Sequence, residues 1–172
     1  MNDWIVHTNI NVSSIKNKIE KIIKKTKPVS LENLHLISTR GSKSKQYVLT
    51  KFGEEFKDVQ KKIIKEIQKY VFKNEDLKLR SAWTVKGYEN SYHLAHNHSE
   101  HNVATVLYLD VPKETIHNPG YFYYFIQENG KLVYNTIKPK RGSLIIMPIH
   151  IFHGCYPQAN GLRQTLNMDF GV

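Results

Sequence analysis

Apolar residues along this chain follow two different spacings. In two stretches before about residue 73 they recur three and four positions apart, and from about residue 79 they gather in short runs separated by turn signals. In SSIKNKIEKIIKK (13–25), Ile15, Ile19, Ile22 and Ile23 fall on one face with lysines opposite. That spacing predicts an amphipathic helix. Ser13 or Ser14 is its expected N-cap, and Pro28 lies beyond its end. A second helix is predicted over 53–73, with Phe56, Val59, Ile63, Ile67 and Val71 as its apolar stripe. Glu54 and Glu55 at its start and Lys69 near its end complement the helix dipole. Between the two, residues 29–52 carry little periodicity, and RGSKSKQ (40–46) is expected to be an exposed loop.

The second half reads as strands. Runs rich in β-branched and aromatic residues occupy 79–88, 103–111, 121–127, 131–137, 142–148 and 162–170, bounded by turn signals. ENGK (128–131) predicts a tight hairpin, because Asn-Gly suits a type I′ turn. HNPG (117–120) and PKRG (139–142) mark further turns. Helices followed by about eight short strands predict an α+β fold, with the helices packed on one sheet of a sandwich or barrel. The chain is expected to be a single domain, 1–172. Residues 1–78 form a helical and mixed support region, and 79–172 form the β core.

Composition narrows the class. At 172 residues the chain can bury a core without covalent staples. Its single cysteine, Cys155, excludes an internal disulfide and fits a reducing compartment. No apolar run approaches the roughly 20 residues that span a bilayer. MNDWIVHTNINV has no basic stretch followed by an apolar one, so a cytoplasmic location is expected. The net charge of +10 is concentrated early: residues 1–80 hold 18 Lys/Arg against 9 Asp/Glu, and 81–172 hold 7 against 6. Attraction to nucleic acid is one reading of that excess. A solvated lysine-rich helix surface is the favoured one, since the lysines sit at helical spacing.

The candidate chemistry lies in AHNHSEHN (95–102). On an extended segment, His96 and His98 point to the same side, which suits two neighbouring metal ligands. A third can come from MPIHIFHGCYP (147–157), which offers His150 and His153. Imidazoles suit iron, zinc, copper and nickel. A structural zinc site would usually close with four ligands including cysteine, so one cysteine favours an open site. His93 and His101 are bystanders, or residues that orient a ligand. In GLRQTLNMDF (161–170), Arg163, Thr165 and Asn167 share one face, and Leu162, Leu166 and Met168 the other. An inward arginine needs an anion, since burying it unpaired is costly. A small dicarboxylate could meet it with a bidentate contact. Trp83, Tyr88, Tyr92 and residues 121–124 are aromatic candidates for the pocket wall.

Taken in order, HNH (96–98), VLYLD (106–110), GSLIIMP (142–148), His153 and RQTLNMDF (163–170) resemble the 2-oxoglutarate/Fe(II)-dependent oxygenases. The nearest branch is a bacterial and phage one with an H-x-H motif. The resemblance covers about residues 80–172, and the first 78 residues carry no motif of it. It implies a double-stranded β-helix (jelly-roll) core and iron held by His96, His98 and His153 as the catalytic centre. It further implies that Arg163 binds the distal carboxylate of 2-oxoglutarate with Thr165 beside it. Tyr108 matches a tyrosine that bonds the same carboxylate in prolyl-hydroxylase-like members. Most of the family has H-x-D/E where His98 stands, so a triad shifted to His98 and Glu100 is the alternative. The implied function is a hydroxylase using Fe(II), 2-oxoglutarate and dioxygen on an unidentified small molecule or peptide side chain. Two other readings stand beside it. One is a three-histidine, cupin-like metal dioxygenase without 2-oxoglutarate. The other is a non-enzymatic basic domain that binds nucleic acid or protein.

Overall fold

In a computed structural model, residues 3–29, 39–41, 43–98, 102–112 and 120–172 are described. The first part of the chain forms β1 (Val6–Asn9), α1 (Ser13–Ile23), β2 (Thr39–Arg40) and β3 (Lys45–Val48). A 3-10 segment (Thr50–Phe56) then runs into α2 (Lys57–Tyr70). The strand-rich part comprises β4 (Lys78–Gly87), β5 (Tyr92–His96), β6 (Val103–Asp110), β7 (Phe122–Glu128) and β8 (Lys131–Ile137). It ends with β9 (Ser143–Pro148), β10 (His153–Cys155) and β11 (Arg163–Gly171).

The strands build two sheets. The major sheet has the order β1-β9-β6-β11-β4-β3, and the minor sheet β2-β5-β10-β7-β8. Every pairing is antiparallel. Consecutive strands from β6 to β11 switch repeatedly between the sheets, and this gives a jelly-roll core. The β7–β8 hairpin turns at Asn129 (φ 50) and Gly130 (φ 74), the two left-handed residues of a type I′ turn.

The helices cover one face of the major sheet. Ile15, Ile19 and Ile22 of α1 and Val59, Ile63 and Ile67 of α2 pack with Leu107, Leu144, Leu166, Met168 and Phe170. The other face of that sheet packs Ala104, Val106, Tyr108, Ile145 and Met147 against Phe122 of the minor sheet. Period-2 alternation along β11 therefore sends Leu166 and Met168 to the helices and Arg163, Thr165 and Asn167 between the sheets. The lysines lie on the outer faces of the helices. Lys18–Asp58 and Lys25–Glu55 pairs join the α1 region to the start of α2. Exposed pairs of this kind contribute ~0–1 kcal/mol each. Among the described residues no helix is long and apolar enough to cross a membrane.

Three local expectations are corrected. The 40–46 stretch is not simply a loop, because Arg40 closes β2 and Lys45 and Gln46 open β3. These strands lie at sheet edges, where few side chains need to be apolar. The α1 N-cap is Val12 rather than Ser13 or Ser14, and the Ser13 N–H is satisfied by Asn11 Oδ1 at 3.0 Å. The described strands number eleven rather than about eight, and the short β1, β2, β3, β5 and β10 lie outside the six strand runs read from the sequence.

Candidate active site

The site forms where the minor sheet faces β11. His153 on β10 lies directly opposite His96 on β5, and Cys155 lies opposite His93. Three residues on β10 thus face four on β5, an irregularity that turns both His93 and His96 inward. His98 lies just past β5, held by a hydrogen bond from its backbone N–H to Ile149 O at 2.8 Å. The rings of His96 and His153 are 4.5 Å apart, those of His98 and His153 5.2 Å, and those of His96 and His98 5.4 Å. One ligating nitrogen from each falls within 4.8 Å of the other two.

Hydrogen bonds fix which nitrogens these are. His96 Nδ1–H donates to Leu94 O (2.8 Å), His153 Nδ1–H to Ile151 O (3.0 Å), and His98 Nδ1–H to Asp169 Oδ1 (2.8 Å). A carbonyl or carboxylate can only accept, so each Nδ1 carries the proton and each Nε2 keeps a lone pair. Three converging Nε2 lone pairs with occupied Nδ1 positions are the arrangement seen around protein-bound transition metals. Burial holds His153 well below the ordinary imidazole pKa, assisted by His96 and His98, and burial also lowers His96. Both are kept neutral, as ligands must be.

Arg163 lies in the same pocket, only 2 % exposed. Its Nη2 reaches Ser91 O at 3.5 Å, its side chain bonds Cys155, and its Nη1 has no partner. Among the described residues no carboxylate forms an ion pair with it. Gly87 and Gly120 crowd the guanidinium closely; a Cβ on Gly120, which has φ +73, would sit 3.2 Å from Nη1. Thr165 and Tyr108 are cross-strand partners, both buried in the pocket wall. Burial and nearby Cys155 push the Tyr108 phenol upward against the opposing pull of Arg163, so it stays a neutral donor. Burial likewise raises the Cys155 thiol. His93 is held well below its ordinary value by burial and by Arg163, His96, His153 and Arg40.

No family model matches the sequence, and no curated protein matches it significantly. Solved structures do match. The viral collagen prolyl hydroxylase of Paramecium Bursaria Chlorella virus-1, solved as a 2OG complex, shares 16% identity at a TM-score of 0.67, covering 98% of this chain and 97% of its own. A Pseudomonas putida prolyl-4-hydroxylase shares 15% identity at 0.65, over 97% and 91%. HygX from Streptomyces hygroscopicus, solved with nickel, 2-oxoglutarate and hygromycin B, shares 11% identity at 0.69, over 99% and 83%. This chain has the fold of the 2-oxoglutarate/Fe(II) oxygenases.

Within that oxygenase fold, His96, His98 and His153 come together, and Arg163, Thr165 and Tyr108 line the same pocket. His150 does not join them; its Nε2 bonds Asp3 Oδ1 at 2.7 Å, away from the pocket. Glu100 and His101 lie outside the described residues. Of the aromatic candidates, Trp83 and Phe122 line the pocket, whereas Tyr123 packs against Tyr156 on the outer side of the minor sheet. Asp169 has no motif of its own in the sequence; its one signal there is that it continues the 163-165-167 alternation on β11.

Proposed function

We propose that this protein is an Fe(II)- and 2-oxoglutarate-dependent oxygenase that hydroxylates its substrate. The observation that carries the reading is one pocket holding both a buried arginine with an unpaired Nη1 and three convergent imidazole Nε2 atoms. Each feature fits one of the two groups. An all-imidazole donor set with open positions suits Fe(II). A buried cation without an anion suits a carboxylate, which takes a guanidinium in a bidentate pair. His96, His98 and His153 would hold the iron. Arg163 would anchor the distal carboxylate of 2-oxoglutarate, with Thr165 and neutral Tyr108 as hydrogen-bond donors beside it.

When bound, iron and 2-oxoglutarate supply the oxidising chemistry: one oxygen atom of dioxygen enters a substrate C–H bond and the other enters succinate, with release of CO2. The chain's own residues do the rest. Burial keeps the His96 and His153 imidazoles neutral, so no proton competes for their Nε2 atoms. Val106, Phe122 and Trp83 line the pocket with apolar surface and limit water around the metal. Trp83 also lies against His98, ring centroids 5.5 Å apart, and restricts its orientation. Substrate identity is set by the pocket mouth rather than by the fold. A cytoplasmic setting, consistent with one unpaired cysteine, completes the reading.

The test is anaerobic addition of Fe(II) to metal-free protein, with and without 2-oxoglutarate. A visible metal-to-ligand charge-transfer band that needs both components, and is lost in His153→Ala, is the expected result. Iron binding with no 2-oxoglutarate-dependent band, together with dioxygen consumption without succinate, would overturn it in favour of the three-histidine dioxygenase.

A further inference from the structure

The three-imidazole set leaves an electrostatic question. A dipositive ion bound by three neutral ligands keeps its full charge, in a pocket that already buries the Arg163 cation. A dianionic 2-oxo acid cancels only two of those three positive charges. Among the described residues, one more anion lies within reach. Asp169 on β11 is 4 % exposed, and both its oxygens are engaged. Oδ1 accepts from His98 Nδ1–H at 2.8 Å, and Oδ2 accepts from the hydroxyl of Ser81 at 2.7 Å. Ser81 lies directly opposite Asp169 on β4, so the sheet register itself sets that bond.

We infer that Asp169 is the positioning residue of this centre, supplying through His98 the single negative charge that the ligand set itself lacks. The inference rests on the metal and 2-oxoglutarate reading above. With Asp169 included, ion, 2-oxo acid, arginine and carboxylate sum to neutrality. The pair also does geometric work. With Oδ2 engaged by Ser81, Oδ1 is left to accept from His98, which holds that ring in the Nδ1–H form with Nε2 aimed at the metal. His96 and His153 bond backbone carbonyls instead, which fix a tautomer but carry no charge. His98 is thus the one ligand of the three whose donor strength a formal charge can raise.

The test separates charge from geometry. Asp169→Asn keeps an oxygen acceptor for Nδ1–H and removes the charge, Asp169→Ala removes both, and Ser81→Ala leaves the charge in place. Anaerobic calorimetric titration with Co(II), in the presence of 2-oxoglutarate, is run on each and on the unaltered protein. The expected weakening is roughly 10–100-fold in Asp169→Asn and at least as large in Asp169→Ala, with Ser81→Ala within a few-fold of the unaltered protein. Equal affinity in Asp169→Asn would overturn the inference. If the unaltered protein itself binds no Co(II), it is the metal reading that falls. A readout independent of metal and of any variant is long-range ¹H–¹⁵N correlation on ¹⁵N-histidine-labelled, metal-free protein. The His98 ring should appear as the Nδ1–H tautomer, and a protonated Nε2 would overturn the inference whatever the variants do.

Discussion

Replacing Arg163 with methionine should have opposite effects on binding and on stability. Methionine roughly fills the same volume but carries no charge. In the metal-free protein Arg163 is a buried cation with a poor 3.5 Å bond from Nη2, a bond to the neutral Cys155 thiol and none from Nη1. Removing it relieves a desolvation cost without breaking an ion pair, so stability should be unchanged or higher. Binding should move the other way. Losing one partner of a buried, hydrogen-bonded charge pair costs ~2–5 kcal/mol, which is roughly 30-fold to several-thousand-fold in affinity. Thermal unfolding reads both effects. A ligand at one hundred times its Kd stabilises by about 2.7 kcal/mol, and a protein of this size gains roughly 2–4 °C per kcal/mol. With Mn(II) present, 2-oxoglutarate should therefore raise the unfolding temperature of the unaltered protein by about 5–11 °C. Arg163→Met should show almost none of that shift, from an equal or higher baseline. A variant that keeps the full shift, or whose metal-free form is destabilised by more than about 2 kcal/mol, would refute the anchoring role, since a loss of that size marks a satisfied structural arginine.

Other perturbations probe different parts of the structure. His93, His96 and His153 are held below the ordinary imidazole pKa by burial, so below about pH 6.5 the unfolded chain binds protons that the folded one refuses. Stability of the metal-free protein is therefore full above that pH and lost as pH falls toward the folded values; His153→Asn should flatten the decline in unfolding scans from pH 8 to pH 5. Gly154→Ala places a Cβ on the Tyr123 hydroxyl and 2.7 Å from His93 O, so chemical denaturation should report a loss of about 1–3 kcal/mol. Metal affinity should fall with it, because His153 is the preceding residue. Ile63→Ala empties a fully buried position between α2 and the major sheet and should cost ~2–5 kcal/mol, with 2-oxoglutarate affinity retained at low temperature.

Legibility in the sequence followed the range of the interaction. Both helices follow from local periodicity, β4, β6, β7, β8, β9 and β11 from β-branched and aromatic runs bounded by turn signals, and the Asn129–Gly130 turn from two residues. The H-x-H pair and the Arg163-Thr165-Asn167 face were likewise readable, because a single extended segment defines each of them. What stayed hidden depends on register between distant segments. His98 meets Asp169 across 71 positions, and Ser81 meets Asp169 only because β4 and β11 pair where they do. His93 turns inward through the irregularity between β5 and β10, which no period in YHLAH announces. The edge strands β1, β2 and β3 escaped because exposed edges do not demand alternation, and the α1 cap escaped because Asn11 bonds from outside the helix.

The most direct measurement is an anaerobic crystal structure of the protein with Mn(II), as an inert stand-in for Fe(II), and 2-oxoglutarate. The expected result is a metal bound by Nε2 of His96, His98 and His153, with the far carboxylate of 2-oxoglutarate on the Arg163 guanidinium and His98 Nδ1 still on Asp169. A metal ligated by Glu100 in place of His96, or a 2-oxo acid bound without Arg163, would contradict it.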